Sequence, residues 1–143
     1  NQGHDHGYKS FSSKQITSLV KLLNYLKKKY NIKNKNILGH SDIAPNRKKD
    51  PGEKFPWKKL HKSKLGIWHE PLKINPKNIN KKKMGEFFFK NLFKIGYRYF
   101  DLNKRTKKDI LLILAFQRRF LPNKVTGKID QKTYKISHFL AKN

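Results

Sequence analysis

The stretch Gly39 to Trp57, GHSDIAPNRKKDPGEKFPW, decides how the chain is read, because it gathers what the rest of the sequence lacks. Only nine of the 143 residues are Asp or Glu, yet Asp42, Asp50 and Glu53 fall within it, close to His40. Just upstream, Ile37 and Leu38 form a short apolar run stopping at Gly39, which predicts a strand ending at His40 and a loop displayed from its end. The loop has its own folding devices. Asp42 ahead of Pro45 suits an Asx turn, and Asp50-Pro51-Gly52 suits a type II turn with glycine at positive φ. Proline also restrains the residue before it, so Asp50 is expected to be held extended.

His40 and Asp50 stand ten positions apart, so only a folded loop can bring them together. An imidazole and a restrained carboxylate at one place make a partial ligand set for Zn2+, which accepts nitrogen and oxygen donors. Lys48, two residues ahead of Asp50, would point to the same side of an extended segment, where it could stabilise negative charge developing on a polarised oxygen. The same residues equally suit a hydrogen-bonded histidine and a turn-forming aspartate, and spacing alone does not separate the two readings.

Working outward, Ser12 and Gln15 make a capping-box signature, and Ile16, Leu19, Val20, Leu22, Leu23, Leu26 and Tyr30 follow at helical spacing, giving an amphipathic helix with a lysine-bearing outer face. Residues 61 to 80, with Pro71 and Pro76, read as a connection. Beyond it, Phe87, Phe88, Leu92, Phe93 and Ile95 recur at helical spacing. Thr106 with Asp109 caps ILLILAFQRRF, and Asp130 or Thr126 starts QKTYKISHFL. Three short helices with aromatic inner faces make a small bundle, its aromatics spaced as a core and not as an exposed stacking platform.

Composition sets the outer limits. The formal charge is +26, from 35 basic and nine acidic residues. Such a charge suits nucleic acid, an anionic surface or an acidic polymer. Only Arg47, Arg98, Arg105, Arg118 and Arg119 are arginine, and lysine lacks the bidentate grip that reads bases, so no specific nucleic-acid partner is expected. The chain has no cysteine, which excludes disulfides and thiolate metal sites. Lysines interrupt every hydrophobic stretch before it reaches the length of a membrane span.

The stretch from Gly39 to Trp57 resembles the signature of the zinc-dependent N-acetylmuramoyl-L-alanine amidases of the type-2 family, close to G-H-S-D-I-A-P-x-R-K-x-D-P-G-P-x-F-P-W, with Glu53 as the visible departure. The preceding NQGHDHGYKSF loop and helix, and KLGIWHEP downstream, are also similar to that family. IGYRYFDLNKRTKKDILLILAFQRRFLPNKVTGKIDQKTYKISHFL is similar to the three-helix peptidoglycan-binding module. The resemblance implies an α/β amidase portion over residues 1–70, with a partial mixed sheet and flanking helices, followed by an all-α three-helix module over 71–143. It further implies His40 and Asp50 as zinc ligands and Lys48 as the catalytic cation. Ser41, Asp42, Pro45 and Arg47 would hold the loop, and Phe55, Pro56 and Trp57 would pack it. The bond cut would join the lactyl group of N-acetylmuramic acid to L-alanine in peptidoglycan or muropeptides.

By the same resemblance, the family's first zinc-ligand histidine and its general-base glutamate would precede Asn1. The expectation is therefore the C-terminal portion of an amidase, with a sheet edge uncovered and two parts of its site lacking; His4 and His6 lie where the family has a loop. A non-catalytic peptidoglycan-binding protein is the alternative reading. The attached module points to the cell envelope or periplasm.

Overall fold

The computed structural model describes residues 8–70 and 80–143. His4 and His6 lie outside the described residues. Helix α1 runs Ser13–Lys29, followed by a 3-10 turn at Asn34–Asn36, a single-turn helix α2 at His40–Ile43 and α3 at Trp57–Lys62. Three longer helices complete the order: α4 Lys81–Ile95, α5 Asp109–Phe120 and α6 Gln131–Lys142.

The start signals of α1 and α6 act as the sequence predicts, whereas α5 starts from Lys108 with no side-chain cap. Ser12 Oγ accepts the Gln15 N–H at 3.2 Å while Gln15 Oε1 accepts the Ser12 N–H at 2.8 Å, closing the capping box of α1. Three lysines, Lys27, Lys28 and Lys29, occupy its last turn, where the helix dipole is negative. Thr106 gives both its N–H and its hydroxyl to Asp109 at the head of α5. Of the two candidates for starting α6, Asp130 is the cap, accepting the Thr133 N–H at 2.8 Å.

The mixed sheet expected over residues 1–70 is not found: among the described residues every regular element is helical. Ile37 is extended, at φ −89° and ψ 101°. Among the described residues no second extended segment completes a ladder with it, and its polar groups are satisfied otherwise. Its N–H closes the 3-10 turn onto the Asn34 carbonyl at 3.2 Å, and its own carbonyl accepts Arg119 Nη2 at 3.1 Å. The single helical turn α2 then begins at His40, where the sequence suggested a strand end.

Two cores form. Ile16, Ile37, Trp57, Leu60 and Leu65 make the smaller one, with Leu19, Val20 and Leu23 partly buried against it. Leu22 and Tyr30, expected on the inner face of α1, stay exposed. The larger core joins α4, α5 and α6 around Phe88, Phe116, Phe120, Leu92 and Ile136. Phe88 meets Phe116 edge to face with ring centroids 5.3 Å apart, a favoured arrangement for paired aromatics. The inner stripe of α4 is Met84, Phe88, Phe89 and Leu92, so Phe87 and Phe93 turn outward, the latter beneath the Arg98 guanidinium at 4.2 Å.

The two cores are continuous. Trp68 packs against both, and His69 Nε2 lies 2.9 Å from the Phe120 carbonyl. Leu65 is wholly buried, so the first part of the expected connection is core; its remainder, residues 71–79, lies outside the described residues. No helix among the described residues is long and apolar enough to cross a membrane.

Candidate active site

The loop brings His40 and Asp50 together: Nδ1 of the first lies 3.2 Å from Oδ2 of the second, with both side chains about half exposed. Backbone geometry sets this approach. The Ser41 N–H donates to the Asp50 carbonyl at 2.9 Å, tying the residue after His40 directly to the second member of the pair. Gly39 permits the contact, because a Cβ there would fall 2.7 Å from Pro51 Cδ and 3.1 Å from Trp57 Cζ2. Gly52 takes the expected positive φ, at 80°, after a cis Asp50–Pro51 peptide.

His40 and Asp50 line a groove of about 270 Å³ whose other walls include Leu19, Leu23, Leu38 and Phe55. A polar pair beside an apolar trough suits a ligand with an apolar body and one reacting polar bond. Lys48 is half-buried, its N–H bonded to the Ala44 carbonyl at 3.0 Å, and its ammonium has no hydrogen-bond or ion-pair partner among the described residues. Lys48 is not among the residues that line the groove of His40 and Asp50.

Imidazole nitrogen and carboxylate oxygen are donors that zinc accepts, and the pair fits two positions of such a site. Among the described residues no third His, Asp, Glu or Cys joins them. A catalytic zinc site takes about three protein ligands. The remaining ligand would have to come from outside the described residues.

The other two acids of the loop have different partners, and both come from α5. Glu53 Oε2 stands 3.9 Å from Arg118 Nε, and Asp42 pairs with Arg119. The second pair is buried: Asp42 is 8% exposed and Arg119 3%. Asp42 Oδ2 also accepts the Gly39 N–H at 2.7 Å, while Oδ1 accepts the Tyr97 hydroxyl at 2.8 Å. Burial first, and then the Asp42 carboxylate, push the Tyr97 hydroxyl well above the usual phenol range, so it remains a donor. Removing one partner of such a buried pair typically costs about 3–5 kcal/mol, because the other charge is left unpaired.

Asp42 thus holds the loop, as the resemblance implied, while Arg119 and Tyr97 escaped the sequence reading. A signal for Arg119 was present. It falls on the stripe of Leu112, Ala115 and Phe116, where a charge needs a buried partner.

Comparison with known proteins then gives a class by likeness: residues 1–53, the segment carrying His40 and Asp50, match the model of the N-acetylmuramoyl-L-alanine amidase family. Among particular relatives, the chain is similar to the N-acetylmuramoyl-L-alanine amidase AmiD of Escherichia coli, 31% identical over 135 residues, covering 91% of this chain and 48% of AmiD. It is also 43% identical over 51 residues to the 1,6-anhydro-N-acetylmuramyl-L-alanine amidase AmpD of Enterobacter cloacae, covering 36% of this chain and 27% of that protein. The chain therefore spans about half, or less, of the length of these curated relatives.

Solved structures extend the likeness over nearly the whole chain. AmiD of E. coli in complex with anhydro-N-acetylmuramic acid-L-Ala-D-gamma-Glu-L-Lys superposes with a TM-score of 0.80 at 28% identity, covering 96% of this chain and 55% of that one. AmpDh3 of Pseudomonas aeruginosa gives 0.81 at 25% identity, covering 99% and 57%.

Proposed function

We propose that the protein works as a zinc-dependent N-acetylmuramoyl-L-alanine amidase, hydrolysing the amide between the lactyl group of N-acetylmuramic acid and L-alanine in peptidoglycan or its fragments. The observation carrying this reading is the convergence of His40 and Asp50 at 3.2 Å beside an apolar groove, within the segment that matches the amidase family. The names of the relatives supply the substrate class.

His40 and Asp50 would hold the metal. When bound, zinc supplies Lewis acidity to the amide carbonyl and its attacking water. Lys48 adds a donor for the carbonyl oxygen as negative charge gathers there. Apolar walls at Leu19, Leu23 and Phe55 exclude water from one side of the groove. In this reading residues 71–143 serve as a wall-binding module, and that module would keep the protein in the cell envelope or periplasm.

One observation favours a second reading, peptidoglycan binding without hydrolysis: only two candidate ligands converge among the described residues. The two readings separate in one set of samples. Zinc content is measured on wild type, His40→Ala and Asp50→Asn, with peptide release from intact and anhydro muropeptides and cosedimentation with purified sacculi. About one zinc per chain, lost in both variants together with hydrolysis, is the expected result. Cosedimentation without zinc or hydrolysis in the wild type would replace the amidase by the binder.

A further inference from the structure

We infer that Arg119, on helix α5 of the C-terminal bundle, is a positioning residue for His40 and Asp50, so that the bundle sets the geometry of the candidate site as well as accompanying it. That His40 and Asp50 act on a metal rests on the amidase reading; the clasp itself rests on the geometry below.

The Arg119 guanidinium grips the chain on both sides of His40. Nη2 donates to the Ile37 carbonyl at 3.1 Å, three residues before it, and Nη1 donates to Asp42 Oδ2, two residues after it. Its third contact is a face: Cζ lies 4.1 Å from the Trp57 ring centroid, at the far end of the loop beyond Asp50. One planar, always-charged group thereby fixes the entry to α2, its acidic cap and the aromatic that closes the loop. A lysine has one point donor and cannot make both directed bonds at once.

Asp42 passes the constraint to the pair. Its Oδ2 also takes the Gly39 N–H at 2.7 Å, which pins the start of the single turn, and its Oδ1 takes the Tyr97 hydroxyl from the chain just after α4. Within that turn the Ser41 N–H reaches the Asp50 carbonyl at 2.9 Å. A turn of four residues has almost no stability of its own, since helix nucleation is unfavourable before several bonds form. Its order must come from outside. Asp42 and Arg119 are buried while His40 and Asp50 are about half exposed, so rigidity is supplied from the interior to a pair that remains open to ligand.

The test is residue-resolved amide hydrogen exchange on the full chain, comparing wild type with Arg119→Lys, Tyr97→Phe and Gln117→Leu. The last destabilises the bundle without touching the clasp. Arg119→Lys should speed exchange at Ser41, Asp42 and Ala44 roughly tenfold or more relative to the amides of α6. Tyr97→Phe should give a smaller change at the same amides, and Gln117→Leu should spare that selective effect. A uniform change across the chain in Arg119→Lys, or none at Ser41 to Ala44, would overturn the proposal.

Zinc affinity on the same variants adds a separate readout. Arg119→Lys should weaken it at least tenfold where Gln117→Leu leaves it within about twofold of wild type. Equal weakening by both would overturn the positioning role. Absence of zinc binding in the wild type would remove the amidase reading instead, with the exchange pattern still deciding the clasp.

Discussion

Gln117 is wholly buried, and its Oε1 accepts the N–H of Gly127 at 2.8 Å. The same oxygen takes the Thr126 N–H at 2.9 Å, while Nε2 donates to the Lys128 carbonyl at 2.9 Å and to Thr133 Oγ1 at 3.1 Å. One amide side chain thus holds the whole α5 to α6 turn. It also explains why a polar residue sits in the core stripe of α5.

Replacing it with a shape-similar apolar residue should be expensive. Gln117→Leu leaves buried backbone donors unpaired, at about 1–3 kcal/mol for each group. A total loss of about 3 kcal/mol is expected, read as a lowered denaturant midpoint with little change in slope.

Gly127 adopts φ +69°, and a Cβ there would lie 2.9 Å from Ile110 Cγ1. Gly127→Ala should cost about 1–2 kcal/mol from the left-handed backbone alone. Contact with Ile110 adds to that. The double variant Gly127→Ala with Ile110→Ala should therefore show a favourable coupling in a thermodynamic cycle, whereas strict additivity would place the whole cost in the backbone.

Burial, then Lys142 and Lys94, hold the His138 imidazole below its ordinary pKa. The folded chain accordingly binds this proton less readily than the unfolded one, which titrates near pH ~6.5. Stability is complete above that pH and declines as pH falls through the folded value. His138→Gln should flatten the stability profile just below neutrality, measured by denaturation at a series of pH values.

Asp130 titrates lower still. Burial raises its carboxyl, but the Lys124 ammonium and the Thr133 N–H and hydroxyl outweigh it and leave the group below its usual value. Its stabilisation is present above the unfolded pKa of about 3.9 and is lost as pH falls through the folded one. Asp130→Ala should cost about 1 kcal/mol at neutral pH as a lost helix cap. The gap to wild type should narrow on acidification.

His40 and its partner Asp50 are both exposed, at 46% and 63% of their side chains. His40→Ala should shift stability by no more than about 0.5 kcal/mol. A thermal melt unchanged beside abolished zinc binding would separate its chemistry from the fold.

The sequence by itself determined the four long helices, the caps of α1 and α6 and a folded loop joining His40 to Asp50, because each rests on local rules. Ser12 with Gln15, and Asp130 with Thr133, are short-range hydrogen bonds written three residues apart. The core stripe of α5 is a periodicity, and the loop from Gly39 to Trp57 carries its own proline and glycine turns. Tertiary structure alone decided three matters. It left Ile37 and Leu38 without a strand partner among the described residues and turned the expected strand end at His40 into a helical turn. It rotated Phe87 and Phe93 of α4 to the surface, since one short apolar-rich helix offers more than one possible inner face. It also matched the loop's acids to bases far along the chain, Asp42 to Arg119 across 77 positions. No local pattern encodes such a pairing: the buried charge signals that a partner must exist, and only the packing of α5 against the loop determines which one.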